Sequence, residues 1–258
     1  MADYRTLGAQ TGVGVRTAAI DEGLRAHMTK VYGLMSGGLF LTFLAAWAIG
    51  SMTVSATPTA YAISEGQYLT DLGATLFLSP LKWVLMFLPL GMVFLFGAMI
   101  NRISAAGAQL FFYLFATAMG VSISWIFVAF TGASIAQVFL ITSISFAGLS
   151  LYGYTTKRDI SGWGGFLIMG VIGLIVASVV NIWLQSDVLG WAVSVIGLLV
   201  FAGLTAYDTQ RIKNDYIAHA QHGDQEWMDK SAIMGSLSLY INFINMFMFL
   251  LQFLGNRE

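Results

Sequence analysis

The chain has 258 residues, of which 57% are hydrophobic and only 10% are charged, with a formal net charge of −1. Soluble domains carry about 25% charged residues, so a water-soluble protein of this length could not hide so much apolar surface, and an all-α integral membrane protein is predicted. The 12 lysines and arginines form no basic cluster, which argues against nucleic-acid binding, and the absence of cysteine excludes disulfides and thiolate chemistry.

The apolar stretches predict seven membrane spans after a polar N-terminal segment. Residues 1–30 lack the short apolar core and cleavage site of a signal peptide, so we expect them to lie in the cytoplasm. A bilayer core about 30 Å thick needs roughly 20 apolar residues as a helix. Seven stretches without Asp, Glu, Lys, Arg or His qualify: 31–51, 83–100, 108–130, 133–153, 166–185, 188–207 and 232–254. Residues 31–258 are therefore predicted to form a single seven-helix transmembrane domain.

The positions of lysine and arginine predict the orientation, because cytoplasmic loops are enriched in both residues. With a cytoplasmic N-terminus, only Lys82 and Arg257 fall outside. The inner segments then hold Arg5, Arg16, Arg25, Lys30, Arg102, Lys157, Arg158, Arg211, Lys213 and Lys230. We therefore expect the C-terminus outside.

An acid stands at the end of the sixth predicted span. Asp208 follows a long apolar run, and Arg211 and Lys213 come shortly after it. If the helix continues past these cations, their long side chains can reach the surface and Asp208 lies about one turn inside the membrane. The alternative is a solvated acid at a helix end.

The segment between the last two spans, residues 208–231, has two possible uses. Its acids Asp215, Asp224, Glu226 and Asp229 could dock a cytoplasmic partner. His219, His222 and Asp224 could suggest a metal site, but their spacing is not specific to one. No resident metal is predicted from this pattern.

The seventh predicted span carries one polar stripe on an apolar helix. Gly235, Ser238, Asn242, Asn245 and Gln252 recur at nearly helical spacing. An unsatisfied amide facing lipid costs several kcal/mol. The stripe therefore predicts that this helix is buried among the others. The open alternative is that these groups only hold helices together.

Two further classes of membrane protein are disfavoured. An intramembrane serine protease needs a buried histidine, and all three histidines lie outside the predicted spans. A retinal protein needs a lysine in its last helix, and residues 232–254 contain none. We expect neither enzymatic activity nor a resident cofactor.

Three segments together resemble the bacterial branch of the Bax inhibitor family, the transmembrane Bax-inhibitor-motif proteins. They are "GYTTKRDISGWG" (153–164), "GLTAYDTQRIK" (203–213) and "GSLSLYINFINMFMFLLQFLG" (235–255). The resemblance implies a seven-helix bundle with helix seven at its centre, and because the motif variants look bacterial, a location in the bacterial inner membrane. It also implies a pH-sensitive calcium leak across the membrane, with calcium as a transient ion, linked to calcium homeostasis and stress protection. The alternative is a non-conducting regulator that binds other membrane proteins, such as a quality-control protease.

The resemblance also implies a pH-sensing pair of aspartates, one late in helix six and one in helix seven. An arginine near the end of helix two is implied to bind this pair and hold it in place. The first acid corresponds to Asp208, and the arginine candidate is Arg102. The second acid falls in the family pattern "LYLDFINLF", which here reads "LYINFINMF", so the position is Asn242. Asn has nearly the shape of Asp but cannot ionise. We expect a hydrogen bond between Asp208 and Asn242 and a weakened or shifted pH response.

Overall fold

The computed structural model describes residues 4–64, 67–220 and 224–256, with side chains described from residue 20 onward except at Ser64. Nine helices and three short strands follow one another in these ranges, and seven of the helical segments are long and apolar enough to cross a membrane. The elements are α1 (Tyr4–Thr53), β1 (Val54–Ser55), β2 (Tyr61–Ser64), β3 (Gln67–Leu69), α2 (Asp71–Phe77), α3 (Leu81–Met99), α4 (Ala105–Ile123), α5 (Ile126–Ala129), α6 (Gly132–Thr155), α7 (Trp163–Leu184), α8 (Asp187–His219) and α9 (Gln225–Leu254). The predicted all-α membrane bundle is confirmed, and His222 and Arg257 lie outside the described residues.

Polar side chains set the starts of the membrane helices. The first turn of a helix leaves backbone N–H groups unpaired, and an oxygen on the preceding residue can accept from them. This occurs at α4, α6, α8 and α9, where the capping residues are Ser104, Thr131, Ser186 and Asp224. The connections between these helices can therefore be short.

Helices run across two boundaries drawn from the sequence. Helix α1 is unbroken across residue 30, where the predicted N-terminal segment meets the first span. The segment 208–231 is not a loop, because α8 continues to His219 and α9 begins at Gln225. Helices α8 and α9 continue beyond their apolar spans by several polar turns. Hydropathy alone does not identify these turns as helical.

The connection after α1 also has structure that the sequence did not predict. Strands β1 and β2 each pair antiparallel with β3, giving the order β1-β3-β2. Helix α2 follows directly, capped by Thr70. This small sheet marks one end of the bundle, which we call the sheet end. The opposite end, called the basic end, carries the connections 100–104 and 156–162, the end of α8 and the start of α9.

Helix α9 is the centre of the bundle, as predicted. In an 18-residue window of α9, 56% of the residues are buried, and the next highest value among the seven spans is 39%. It packs against α1, α4, α6 and α8, whereas α3 and α7 lie at the periphery. Tyr240 of α9 is fully buried, its ring lies edge-on to Phe112 and Phe115, and its hydroxyl is 2.6 Å from that of Thr42.

Helices α6 and α8 cross at a glycine, and replacing Gly153 by Ala is expected to destabilise the bundle. The added Cβ would overlap the carbonyl oxygen of Ala206, which as a backbone atom cannot turn aside. Overpacking of this kind costs about 1–3 kcal/mol. Gly148→Ala on the same helix is the matched control, because nothing lies within 4 Å of its added Cβ. Thermal unfolding in detergent measures both variants, and equal midpoints would contradict the expectation.

Candidate functional site

The buried stripe of α8 continues past Asp208. Phe201, Thr205, Asp208, Thr209 and Ile212 are all buried, and their spacing of roughly one helical turn places them on one face. Packing of this face against the bundle accounts for the continuation of α8 past the apolar run as far as Ile212. Asp208 is only 6% exposed and therefore lies inside the bundle, not at a solvated helix end.

Both carboxylate oxygens of Asp208 have a partner. Arg211 Nη2 lies 2.9 Å from Asp208 Oδ1, and Asn242 Nδ2 donates to Asp208 Oδ2 at 2.7 Å. The hydrogen bond expected from the sequence is therefore present. Arg211 also donates to the Ser238 hydroxyl at 3.3 Å, so one guanidinium joins α8 to α9. These four residues form a cluster that we call the Asp208 site.

The polar stripe of α9 faces α8 along most of its length. Gly235 packs against Ile212, and Ser238 and Asn242 belong to the Asp208 site. Near the sheet end, Gln252 accepts a hydrogen bond from Ser194 at 2.9 Å. The stripe thus joins α9 to α8, the neighbour with which α9 makes its most extensive contact.

Two positions of this stripe behave differently. Asn245 donates to the carbonyl of Ile241 on its own helix at 2.8 Å and does not join α8 through its amide. Phe249 interrupts the stripe, and its ring occupies the space left by the missing side chain of Gly197. The aromatic ring of Phe249 fits between α8 and α9 because Gly197 has no side chain.

Arg102 is not brought to Asp208 in this conformation. It lies exposed in the turn between α3 and α4, and none of the ion pairs formed by the described side chains includes it. The cation at the Asp208 site is Arg211, whose side chain was expected to reach the surface and is 45% exposed. The i,i+3 spacing of Asp208 and Arg211 is the signal that identifies this pair in a continuous helix.

A line of hydroxyl groups starts beside the Asp208 site and crosses to α1. Thr209, the neighbour of Asp208 in the chain, lies 3.0 Å from the Ser150 hydroxyl of α6. Ser150 in turn is hydrogen-bonded to the hydroxyl of Tyr32 on α1. Three helices that pack around α9 are therefore joined by side-chain oxygens close to the buried acid.

Gln210 fixes the connection between α6 and α7, where the segment 153–164 lies. Its Oε1 accepts from the backbone N–H of Ile160 at 2.9 Å, and its Nε2 donates to the carbonyl of Arg158 at 2.8 Å. Within the same connection, the Asp159 carboxylate accepts from the N–H of Ser161 at 2.9 Å, and hydrogen bonding from Ser161 lowers the pKa of Asp159. The two polar segments quoted from the sequence thus meet at the basic end.

Replacing Gln210 by Ala is expected to speed trypsin cleavage after Lys157 and Arg158. The change leaves the buried N–H of Ile160 unpaired, at about 1–3 kcal/mol, and removes the bond to the carbonyl of Arg158, so the connection opens more often. Gln252→Ala removes one hydrogen bond at the sheet end and serves as the control. Limited proteolysis in detergent, followed by mass spectrometry, measures the rates. Equal cleavage of parent and Gln210→Ala would contradict this role.

His27 differs from its sequence interpretation. It precedes the apolar stretch 31–51, but it lies on the same helix and is buried in the bundle, which its sequence position did not indicate. Its ring packs on that of Tyr216 at 4.9 Å between centroids. Lys30, one turn further along α1, forms an ion pair with Asp229 at 2.7 Å. His27 therefore belongs to a contact between α1, α8 and α9 at the basic end.

The residues of the weak metal pattern have structural contacts. The ring of His219 stacks on Trp227 at 4.0 Å, and Asp224 caps α9 by accepting from the N–H of Trp227. Among the described residues, no group of three or more His, Asp or Glu side chains is placed to hold a metal ion. His222 is not included in that statement, because it lies outside the described residues.

Comparison with known proteins places these features in one family. Residues 24–258 match the family described as "Inhibitor of apoptosis-promoting Bax1". The chain is 41% identical over 236 residues to "Inner membrane protein YbhL" of Escherichia coli strain K12, covering 92% of this chain and 94% of that protein. It is 40% identical over 258 residues, and the full length of both chains, to "Uncharacterized protein RP147" of Rickettsia prowazekii.

Proposed function

This chain belongs to the Bax inhibitor family and is a multi-pass inner-membrane protein, and from this premise we propose that it forms a pH-sensitive cation leak. Calcium is the favoured ion, because carboxylate and carbonyl oxygens suit a hard cation. In the cell, such a leak would contribute to calcium homeostasis and stress protection. The orientation that accompanies this proposal has the N-terminus and the basic end in the cytoplasm and the C-terminus outside.

The observation that supports a sensor is the burial of Asp208 between two helices. An ionisable residue inside a membrane bundle is costly to keep and is a functional hypothesis by default. Here the carboxylate sits between α8 and α9, and both of its oxygens are hydrogen-bonded or ion-paired. The charge of Asp208 therefore affects how strongly α9, the central helix, is attached to α8.

The contacts suggest how a proton would act on the leak. Protonation of Asp208 removes the charge that holds Arg211, and Arg211 is also the donor to Ser238 on α9. Loss of that link loosens α8 from α9 at the basic end, while the Asn242 amide can still bond a neutral carboxyl group. Acidification is therefore proposed to increase the leak by separating these two helices.

The alternative function is a regulator without flux, docking partners through the acids of the α8–α9 region. In the structure, most of the acids on that surface already contact another part of the chain. Asp224 caps α9, Glu226 pairs with Lys230 at 2.9 Å and Asp229 pairs with Lys30. Asp215 is exposed on α8. We therefore favour the leak.

Calcium flux into liposomes tests the proposal. The purified protein is reconstituted with a trapped calcium dye, and influx is measured at acidic and alkaline pH. We expect flux above protein-free liposomes, rising on acidification, and a flattened pH profile for Asp208→Asn. Asp215→Asn is the matched control, because it removes an exposed acid from the same helix. Absence of flux at every pH would overturn the leak, and crosslinking to co-purifying membrane proteins would then test the regulator.

A further inference from the structure

A long groove lies on the lipid-facing side of the bundle between α1 and α6. Both helices pack on α9 but make little contact with each other apart from the hydrogen bond between Tyr32 and Ser150. The space between them is a cavity of about 1130 Å³. Along α1 it extends from Arg25 to Ala46, about 32 Å at 1.5 Å per residue, which is close to the roughly 30 Å hydrocarbon core.

The groove opens sideways into the membrane. Phe40 and Phe43 on α1 are 61% and 52% exposed, and Leu151 on α6 is 62% exposed. Its floor is apolar and aromatic, built from Phe139 and Phe146 of α6 and from side chains of α9. A long hydrocarbon chain can therefore enter from the bilayer and lie against this floor.

The two ends of the groove differ in charge. At the basic end it is lined by Arg25, Thr29, Tyr32 and Tyr154, and the ammonium group of Lys213 lies 2.8 Å from the Tyr154 carbonyl oxygen. Arg25 is the one charged side chain among the described residues that line the cavity, and its guanidinium takes part in no ion pair with a described side chain. The sheet end is lined by uncharged residues such as Ala46, Ile126 and Gly132.

We propose that this groove binds an anionic glycerophospholipid of the leaflet at the basic end. An acyl chain lies along the apolar floor between α1 and α6, and the phosphate group pairs with Arg25. Basic pockets between transmembrane helices at the cytoplasmic surface are typical sites for anionic head groups. The cation gives the complementary charge, no carboxylate is among the described side chains that line the Arg25 end, and the length of the groove fits a lipid tail.

The bound lipid would touch the line of hydroxyl groups that leads to the Asp208 site. Tyr32 and Ser150 line the groove, and Ser150 contacts Thr209 next to Asp208. The lipid site stands independently of the proposed leak, because it is argued from the groove and its cation alone.

Native mass spectrometry of the detergent-purified, full-length protein tests the site. Dioleoyl phosphatidylglycerol and dioleoyl phosphatidylcholine are titrated separately, and the retained lipid is counted. We expect preferential retention of phosphatidylglycerol, reduced about fivefold by Arg25→Gln, the effect of one cation near an anionic lipid surface. Arg102→Gln removes an exposed arginine from another turn of the basic end and is expected to retain the lipid.

A second pair of variants tests the groove itself. Ala147→Trp fills the groove and is expected to reduce retention of both lipids, whereas Ser145→Trp lies on the same helix outside the lining and is not. Equal retention of the two lipids by the parent, or an unchanged count for Arg25→Gln, would overturn the proposal. A co-purified protein helix that crosslinks to residue 147 in place of lipid would also overturn it.

Discussion

Asn242→Asp is expected to give the proposed leak a much steeper pH dependence than the parent has. The new carboxylate would stand where an amide now donates to Asp208 at 2.7 Å. Two negative charges at that distance repel, so the pair must share a proton or move apart, and the two groups titrate as a unit. Coupling energies of 1–3 kcal/mol correspond to about five- to 150-fold. We expect the ratio of flux at acidic to alkaline pH to increase at least fivefold.

Liposome calcium flux across a pH series measures this change. Asn245→Asp is the matched control, because it adds an acid one turn away on α9 where the native amide bonds its own helix. The control is expected to keep a profile near that of the parent. If Asn242→Asp and the parent have the same pH profile, this position does not set the response.

Removal of the Arg211 side chain is expected to cost more stability than removal of the whole ion pair. Arg211→Gln leaves the Asp208 carboxylate buried without a cation. Losing one partner of a fully buried pair costs 3–5 kcal/mol, and we expect about 2 kcal/mol here because the Arg211 side chain is 45% exposed to solvent. Asp208→Asn in the same chain removes the stranded charge and is expected to restore most of the loss.

Thermal unfolding in detergent of the parent, both single variants and the double variant gives the interaction energy directly. A double variant less stable than Arg211→Gln alone would show that the buried charge is not the source of the cost. The cycle is independent of ion conduction, so it tests the geometry of the Asp208 site separately from the function.

The fold was largely predictable from the sequence because a membrane span has a strong signature in hydropathy. Each predicted span overlaps a helical segment, although 83–100 and 166–185 run one residue past α3 and α7, and 108–130 covers both α4 and α5. The stripe of Ser238 and Asn242 correctly predicted that the last helix is buried among the others. The polar end of α8 and the polar start of α9 were not predictable from hydropathy. The last turns of α8 and the first turns of α9 are helical because they pack on each other and on α1, which no local composition reveals. The strands β1 to β3 are too short to show the alternation of apolar and polar residues by which a strand is recognised in a sequence.

The site was partly predictable for a related reason. The residues themselves singled out Asp208 and Asn242, and the resemblance paired them. Their hydrogen bond required only that α9 begin outside the apolar core, which it does. The resemblance also directed attention to Arg102, although the partner of Asp208 stands three residues away on the same helix. Resemblance to a family indicates which sequence positions correspond. The choice between Arg102 and Arg211 as the partner of Asp208 depends on side-chain distances, which are known only from the folded bundle. Gln210 was missed because its partners are backbone groups of a distant connection.

The spacing of Asp208 and Arg211 bears on how the protein is made. Chains are synthesised from the N-terminus, so α8 enters the bilayer before α9 exists. A lone carboxylate in a translocating helix costs about 2.5–3.5 kcal/mol at the bilayer centre. Since Arg211 lies one turn away on the same helix, Asp208 has a counter-ion within reach before α9 is made. The amide of Asn242 comes with the last helix and gives the second carboxylate oxygen its partner.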